Sequence, residues 1–488
     1  MPKISLKNEP VLLAKHHSFP YQLDAVVALR DLQYGAIFHE QGLGKTKIAI
    51  DIFLYWLEKK ILDTVIIVAK KSLVQNWYDE LAAHCSIKPR LLTANRHGNF
   101  YVLNSPVRLI VTNYETIKSE KERLKLFLTT RDVGVILDES AKIKNPNSDI
   151  AQAFFEVAPF LKRRIIMTGT PVANRPYDIW AQIFFLDQGA SLGTNFTEFR
   201  GETNLENDLY DDVSRQVALE SKLAPIFSRI SSFSVRETKK SGVIELPDKI
   251  IESVPCFWEP RQQEIYNQIK KETRLVIIRD GCPVEDISDS ILKRLLRLVQ
   301  VASNPKIIDD GYSASPGKLD ALKDLLVDIT SKGEKAIVWT YFNDNAIWLA
   351  KELVAYGPCT VYGKLPIKDR NANIERFKKD PSARVLIATP GSAKEGLTLT
   401  VANNAIFYDR GFSLDDYLQA QDRIHRISQQ KTCYVRNLIM QDSIDEWVDV
   451  LLAAKHSAAQ LVQNDIDLET YRSAMRYEFG EILKEVLD

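Results

Sequence analysis

The stretch that most constrains this chain is Ala36-Ile-Phe-His-Glu-Gln-Gly-Leu-Gly-Lys-Thr-Lys-Ile-Ala-Ile50. A short apolar run leads into a glycine-bearing turn, and Lys-Thr opens a helix. A phosphate cradle needs this order. Gly42 and Gly44 allow backbone angles that a side chain forbids. The turn then aims its N–H groups at a triphosphate, with a helix N-terminus behind them. In such a cradle Lys45 reaches the β- and γ-phosphates, and the Thr46 hydroxyl ligates Mg²⁺. The strict pattern wants glycine at the first loop position, where His39 stands. The alternative is an ordinary helix start after a turn, so the loop has to be weighed with the rest of the chain.

A length of 488 residues exceeds one ordinary core and predicts two to four domains. The chain carries 64 basic and 64 acidic residues. That balance argues against coating nucleic acid by bulk charge, but not against a local basic channel. The five cysteines are scattered with no CxxC pair, which suggests neither a disulfide framework nor a zinc site and fits a reducing compartment. The start lacks a signal-peptide core, and no apolar run approaches membrane-spanning length. The expectation is an intracellular, cytoplasmic protein with no membrane partner.

Upstream of the loop, Phe19-Pro-Tyr-Gln-Leu-Asp-Ala-Val-Val-Ala-Leu-Arg30 reads as a helix with Pro20 in its first turn. Gln22 there is either a reader of an adenine edge through paired hydrogen bonds or a plain surface residue. Thr64-Val-Ile-Ile-Val-Ala69 is a continuous β-branched run, typical of a strand buried in a parallel sheet. Lys70, Lys71 and Ser72 follow it, either gripping a phosphate backbone or forming a solvated loop. Val107 to Ile117 repeats the design, with Thr112 and Asn113 at the strand's end. In Val133-Gly-Val-Ile-Leu-Asp-Glu-Ser-Ala141 an apolar strand ends in two adjacent carboxylates. In a nucleotide site Asp138 holds Mg²⁺ through water, and Glu139 orients or deprotonates the attacking water. Thr168, Gly169 and Thr170 close the next strand at the sheet edge where open α/β folds bind ligands. Strand, loop and helix alternate from residue 30 to about 175, which predicts a doubly wound parallel sheet.

Residues 177–236 turn helical and aromatic, with Trp180, Phe184, Phe185, Phe196 and Phe199 read as packing residues rather than base-stacking platforms. Leu246 to Lys249 reads as a link. Residues 260–310 are helical, and Lys293, Arg294 and Arg297 form a basic face that is solvated or faces DNA. A second alternating unit begins near Gly317, with strands at Lys335–Tyr341, Thr360–Gly363, Arg384–Thr389 and Asn404–Tyr408 and a small-residue loop over 391–400. Gln419-Ala-Gln-Asp-Arg-Ile-His-Arg-Ile-Ser-Gln429 is read as a helix on which Arg423 and Arg426, three apart, share a face. Offered to a γ-phosphate from a second domain, they act as arginine fingers. The alternative is two surface arginines partnered by Asp422.

Together these segments closely resemble the Swi/Snf family of helicase-like ATPases in helicase superfamily two. PYQLDAV, GLGKT, SLVQNWYDEL, VTNYETI, ILDES with IKN, MTGTPVAN, GLTLTVAN and QAQDRIHRISQ fall in the family's order and spacing, from about Phe19 to Asp445. The resemblance implies an α/β fold of two RecA-like lobes, with helical protrusions at roughly 177–240 and 258–312. It divides the chain into a first lobe over 1–240, a linker and protrusion over 241–312, a second lobe over 313–455 and a helical tail over 456–488. Tyr471, Tyr477 and Phe479 in that tail pack back on the core or dock a partner.

The resemblance also implies DNA-stimulated hydrolysis of ATP with Mg²⁺ and movement along duplex DNA. Carried over by position, Gln22, Gly42, Gly44, Lys45, Thr46 and Gln419 bind ATP. Thr46 and Asp138 serve Mg²⁺, and Glu139 serves the water. Arg423 and Arg426 complete the site. Lys70, Lys71, Thr112, Asn113, Ser392, Lys394 and Gly396 lie in motifs that touch or couple to DNA. His39 and Gln41 replace the usual Asp and Met, Ala69 a proline, and Ser428 a glycine. Ala141 stands where many members have His. The chain looks like a compact, monomeric motor of the bacterial or phage sort, acting in a bacterial or phage-infected cell. Fork-regressing helicases on the same fold, RNA motors and nucleotide-switched binding proteins are the rival readings.

Overall fold

A computed structural model describes residues 3–172, 174–203, 220–279, 289–393 and 398–474. The chain divides into two compact units. One is built mainly from residues up to 203 with Ser221–Ile244 and Val462–Asp465, the other mainly from Glu245–Leu461.

In the first unit a seven-stranded sheet runs in the order β3-β4-β2-β5-β6-β1-β7. Its strands are β1 (Tyr34–Ile37), β2 (Thr64–Ala69), β3 (Arg90–Leu91), β4 (Leu109–Asn113), β5 (Val133–Asp138), β6 (Arg163–Met167) and β7 (Ser234–Val235). All of its pairings are parallel. Every residue of β2 is buried, as its unbroken β-branched run requires when helices cover both faces. Helices α1 (Pro20–Leu29), α2 (Lys45–Glu58) and α3 (Val74–His84) pack on this sheet through Leu29, Phe53, Trp56 and Trp77. The register sets Met167 of β6 beside both Ile37 of β1 and Asp138 of β5. The loop after β1 and the ends of β5 and β6 therefore emerge side by side at the C-terminal edge of the sheet, where open α/β sheets bind ligands.

The second unit holds a six-stranded parallel sheet in the order β10-β11-β9-β12-β13-β8. These strands are β8 (Lys249–Cys256), β9 (Ala336–Trp339), β10 (Cys359–Val361), β11 (Val385–Ala388), β12 (Asn404–Phe407) and β13 (Cys433–Met440). The sequence reading of a bare link at 246–249 missed β8. Its exposed, mixed pattern gives no buried-strand signal, because it lies at the sheet edge and pairs only with β13 among the described strands.

The aromatic helices of the first unit pack as expected. Trp180 stacks on Phe184 with ring centroids 4.8 Å apart and meets Phe196 at 5.3 Å. In the second unit the helices Pro260–Arg279 and Asp289–Ser303 follow β8, and Lys293 and Arg297 are exposed. Lys318 is fully buried, ion-paired to Asp445 at 2.5 Å. In the tail, the helix Leu468–Ala474 buries Tyr471; Tyr477 and Phe479 lie outside the described residues. No described helix is long and apolar enough to cross a membrane.

Candidate functional site

The loop after β1 has the backbone its glycines allow. Gly42 and Gly44 hold φ of 90° and 72°, and Gly44 is the N-cap of α2. Its carbonyl accepts the Lys47 and Ile48 N–H groups, so the helix begins on the loop. Lys45 is buried, and its Nζ donates to the carbonyl oxygens of His39 at 2.9 Å and Glu40 at 3.2 Å. Gln22 lies against the same loop: a Cβ on Gly44 would come within 2.2 Å of its Nε2. That amide reaches Tyr21 Oη and Leu43 O at 3.3 and 3.4 Å, while Gln22 Oε1 accepts the Phe19 N–H. Gln22 is thus buried on the loop and is not the plain surface residue weighed from sequence.

The two carboxylates at the end of β5 differ in surroundings. Asp138 Oδ2 accepts the Trp77 indole N–H at 2.8 Å, and Tyr114 Oη donates to its backbone carbonyl. Crowding by protein and the Glu139 charge push the Asp138 pKa up, while the Trp77 hydrogen bond and the Lys45 and Lys70 charges oppose the rise. Glu139 is buried and holds a left-handed backbone, φ 54°, a conformation that costs a side-chain-bearing residue about 1–3 kcal/mol and clusters at functional sites. Its Oε1 accepts Gln41 Nε2 at 2.8 Å, and Thr168 Oγ1 donates to Oε2 at 3.4 Å. Thr168 also accepts the Thr170 N–H. Loop, β5 end and β6 end thereby share one hydrogen-bonded network.

His39, at the first loop position, is buried beside the Tyr21 ring, with the Val235 backbone close to its imidazole. Burial, then the Lys45 charge, drives its pKa down to about 4, so it is neutral at pH 7. Thr46 and Asp138 offer hard oxygen donors, the kind Mg²⁺ takes with substrate phosphates. The residues present fit a magnesium-bound nucleoside triphosphate.

Three sequence expectations need correction. Thr112 is fully buried, and its hydroxyl donates to Leu92 O, so it does not face a DNA backbone. The interior position of β4 in the sheet dictates this. Asn113 instead caps the helix Tyr114–Ser119, its side chain accepting the Thr116 N–H at 2.9 Å.

The third concerns the arginines of the second unit. The helix expected through Gln429 ends at Gln421, with Arg423 and Arg426 on the turns that follow. Leu399 N–H donates to the Arg423 carbonyl, and Gln429 Nε2 donates to Ile424 O and Ala402 O. The bonds to Arg423 and Ile424 claim carbonyls that a continuing helix would use. The two arginines consequently do not share a helical face. Arg423 is buried with Nε donating to Gln419 O, whereas Arg426 is partly exposed, its Nη1 donating to Thr398 Oγ1 at 2.8 Å. Gln419 is buried, with Nε2 donating to Asp415 and Oε1 unpartnered among the described residues.

Lys70 is partly exposed and Lys71 exposed at the end of β2. Ser392, partly exposed, lies in a short turn of helix where its Oγ accepts from Thr389 Oγ1. Lys394 and Gly396 fall outside the described residues. Trp77 lies in the SLVQNWYDEL segment, whose sequence pattern assigns it no role. The fold alone brings its indole N–H to Asp138.

Known proteins resemble the chain over most of its length. The chain matches the SNF2-related domain over residues 21–307 and the helicase conserved C-terminal domain over 317–428. It is 27% identical over 446 residues to an uncharacterized ATP-dependent helicase of Mycoplasma pneumoniae, covering 89% of this chain and 41% of that protein. It is 26% identical over 470 residues to the putative ATP-dependent helicase/translocase YwqA of Bacillus subtilis, covering 91% and 49%. It is 25% identical over 515 residues to the DNA repair and recombination protein RAD54-like of Danio rerio, covering 93% and 68%. The chain spans about half or less of the length of the first two. Among solved structures, the Sulfolobus solfataricus SWI2/SNF2 ATPase core in complex with dsDNA is 26% identical, with 99% of each chain covered and a TM-score of 0.42. With its first domain model covering more than half of the sequence and a helicase C-terminal model following in order, the chain belongs to the SNF2-related family of Swi/Snf-type helicase-like ATPases.

Proposed function

We propose that this chain is the motor core of an ATP-driven translocase that moves along double-stranded DNA. One observation carries the reading: the left-handed glycine loop with Lys45 is hydrogen-bonded to Glu139, and Asp138 ends the adjoining strand at the same sheet edge. That set holds phosphates, a divalent cation and an attacking water at once. The relatives named as translocase and as DNA repair protein support DNA as the track.

On this reading Lys45 exchanges the His39 and Glu40 carbonyls for phosphate oxygens, and the Gln22 amide turns to the adenine. Thr46 and Asp138 hold Mg²⁺, which when bound neutralises charge on the phosphates. Glu139 orients the attacking water and accepts its proton. Arg426, with Arg423 and Gln419, comes from the second unit to stabilise the charge that builds in the transition state. Lys70, Lys71 and Ser392 serve the DNA backbone, so DNA affinity falls steeply with salt. Turnover that alternately recruits and releases the second unit steps the chain along the duplex, as a monomer in the cytoplasm.

The test is steady-state ATP hydrolysis alone and with duplex, single-stranded and forked DNA and with RNA, beside Glu139→Gln. Strong stimulation by plain duplex, lost in the variant, is expected. Stimulation by forks alone replaces the reading with branch remodelling. Stimulation by RNA alone assigns an RNA motor, and no turnover with any of them leaves a nucleotide-switched binding protein.

A further inference from the structure

Gln41 stands immediately before Gly42, where the family resemblance makes methionine usual. Methionine has no N–H to give; Gln41 has two, and it gives one to Glu139 Oε1 at 2.8 Å, the shorter of the two hydrogen bonds described at that carboxylate. Both side chains are buried, with exposures of 8% and 9%. A charge-assisted bond sheltered from water holds its geometry more tightly than one at the surface.

The surroundings are shaped to admit this amide. Gly169 packs directly on Gln41: a Cβ there would lie 2.8 Å from Gln41 Cγ and 3.1 Å from its backbone nitrogen. Glu139 comes to the contact from a left-handed backbone, which fixes the direction in which its side chain leaves β5. Gln41 also belongs to the loop that Lys45 grips through the neighbouring His39 and Glu40 carbonyls.

We propose that Gln41 is a positioning residue for water activation, tying the Glu139 carboxylate to the phosphate loop so that the base moves in register with the phosphates. This deepens the ATPase reading and rests on it. The loop fixes the phosphorus atom that is attacked, and Glu139 fixes the water that attacks. A direct bond between the two removes a degree of freedom that the reaction would otherwise have to freeze.

The experiment compares Gln41→Met, Glu139→Gln and the double variant. Methionine keeps the length and fills the space beside Gly169 but donates nothing. Expected for Gln41→Met is a fall in duplex-stimulated kcat of about 10-fold, with KM for ATP and the affinity for a fluorescent ATP analogue within about twofold. The double variant should be no slower than Glu139→Gln, because Gln41 acts only through that carboxylate. An unchanged kcat in Gln41→Met overturns the proposal, as does a multiplicative loss in the double variant.

A nucleotide-free readout keeps the two readings apart. Urea midpoints of Gln41→Met, Glu139→Ala and their combination should shift by less together than the single shifts summed. Additive shifts overturn the Gln41–Glu139 tie whatever the turnover. A wild-type protein inert with every nucleic acid but showing coupled midpoints overturns the motor reading and leaves the tie standing.

Discussion

Replacing Gly44 by alanine tests the cradle at its tightest point. Two costs follow from the structure. At φ 72° an alanine occupies the left-handed region, worth about 1–2 kcal/mol against the folded state. Its Cβ would also stand 2.2 Å from Gln22 Nε2, so that the amide must swing away. Gln22 ends a flexible side chain, and the move itself is cheap. What it loses is the bond from Phe19 N–H to Gln22 Oε1 at the start of α1, a capping contact worth about 1 kcal/mol.

The sum is about 2–3 kcal/mol, or a fall of roughly 5–10 °C in the melting temperature of the first unit. In a Gln22→Ala background the clash has no partner. Gly44→Ala should there cost only its backbone share, giving a coupling of about 1 kcal/mol between the two sites. Thermal melts of the four proteins measure this, and a fluorescent ATP analogue reports the loop, with at least about 10-fold weaker binding expected for Gly44→Ala. A Gly44→Ala protein that melts and binds nucleotide like the wild type would refute the left-handed cradle. Additive melting shifts would refute the Gln22 contact.

Arg426→Ala should lower DNA-stimulated ATP turnover by roughly 10³-fold while sparing nucleotide binding; normal turnover removes Arg426 from the reaction. His39 has a folded pKa of about 4 against 6.5 for the free side chain, so the unfolded chain binds the extra proton first and stability falls as pH drops from 6.5 towards 4. Between pH 7 and pH 5 the loss from this group is about 2 kcal/mol, and His39→Asn should flatten that part of the urea-midpoint profile; an unaltered profile would mean the imidazole is hydrated. Lys318→Met leaves Asp445 buried without its partner and should cost about 3–5 kcal/mol in the second unit. A melt unchanged by Lys318→Met would show that the pair is open to water.

What was legible in the sequence was whatever depends on local pattern. β2 was read with the ends it has, Thr64 and Ala69, because a β-branched run between polar ends leaves few other structures open. The glycine loop and the Asp138–Glu139 pair were legible because their chemistry needs fixed residue types at fixed spacing. Long-range contacts decided the rest. Thr112 reads as a strand-end hydroxyl until Leu92 claims it. The helix carrying Gln419 reads as continuous until Leu399 and Gln429, from outside it or beyond its end, take its carbonyls. The role of Trp77 is fixed by a carboxylate 61 positions further along the chain, and no window of sequence contains both.

The edge strand of the second sheet bears on how the protein is made. β8 emerges from the ribosome near mid-chain, yet its only described strand partner is β13, in a register that sets Lys249 beside Cys433 and Cys256 beside Met440. The sheet of the first unit needs no strand later than β7. Its strands are available while the second half is still being translated, whereas β8 waits for nearly the whole remaining domain. During that interval β8 offers open backbone groups with Ile250 and Ile251 beside them. Chains halted before Cys433 would expose β8 and β12 together as unpaired edges. Truncated products of this protein should therefore aggregate through the second unit while the sheet of the first stays native-like, and chaperone demand should peak late in synthesis.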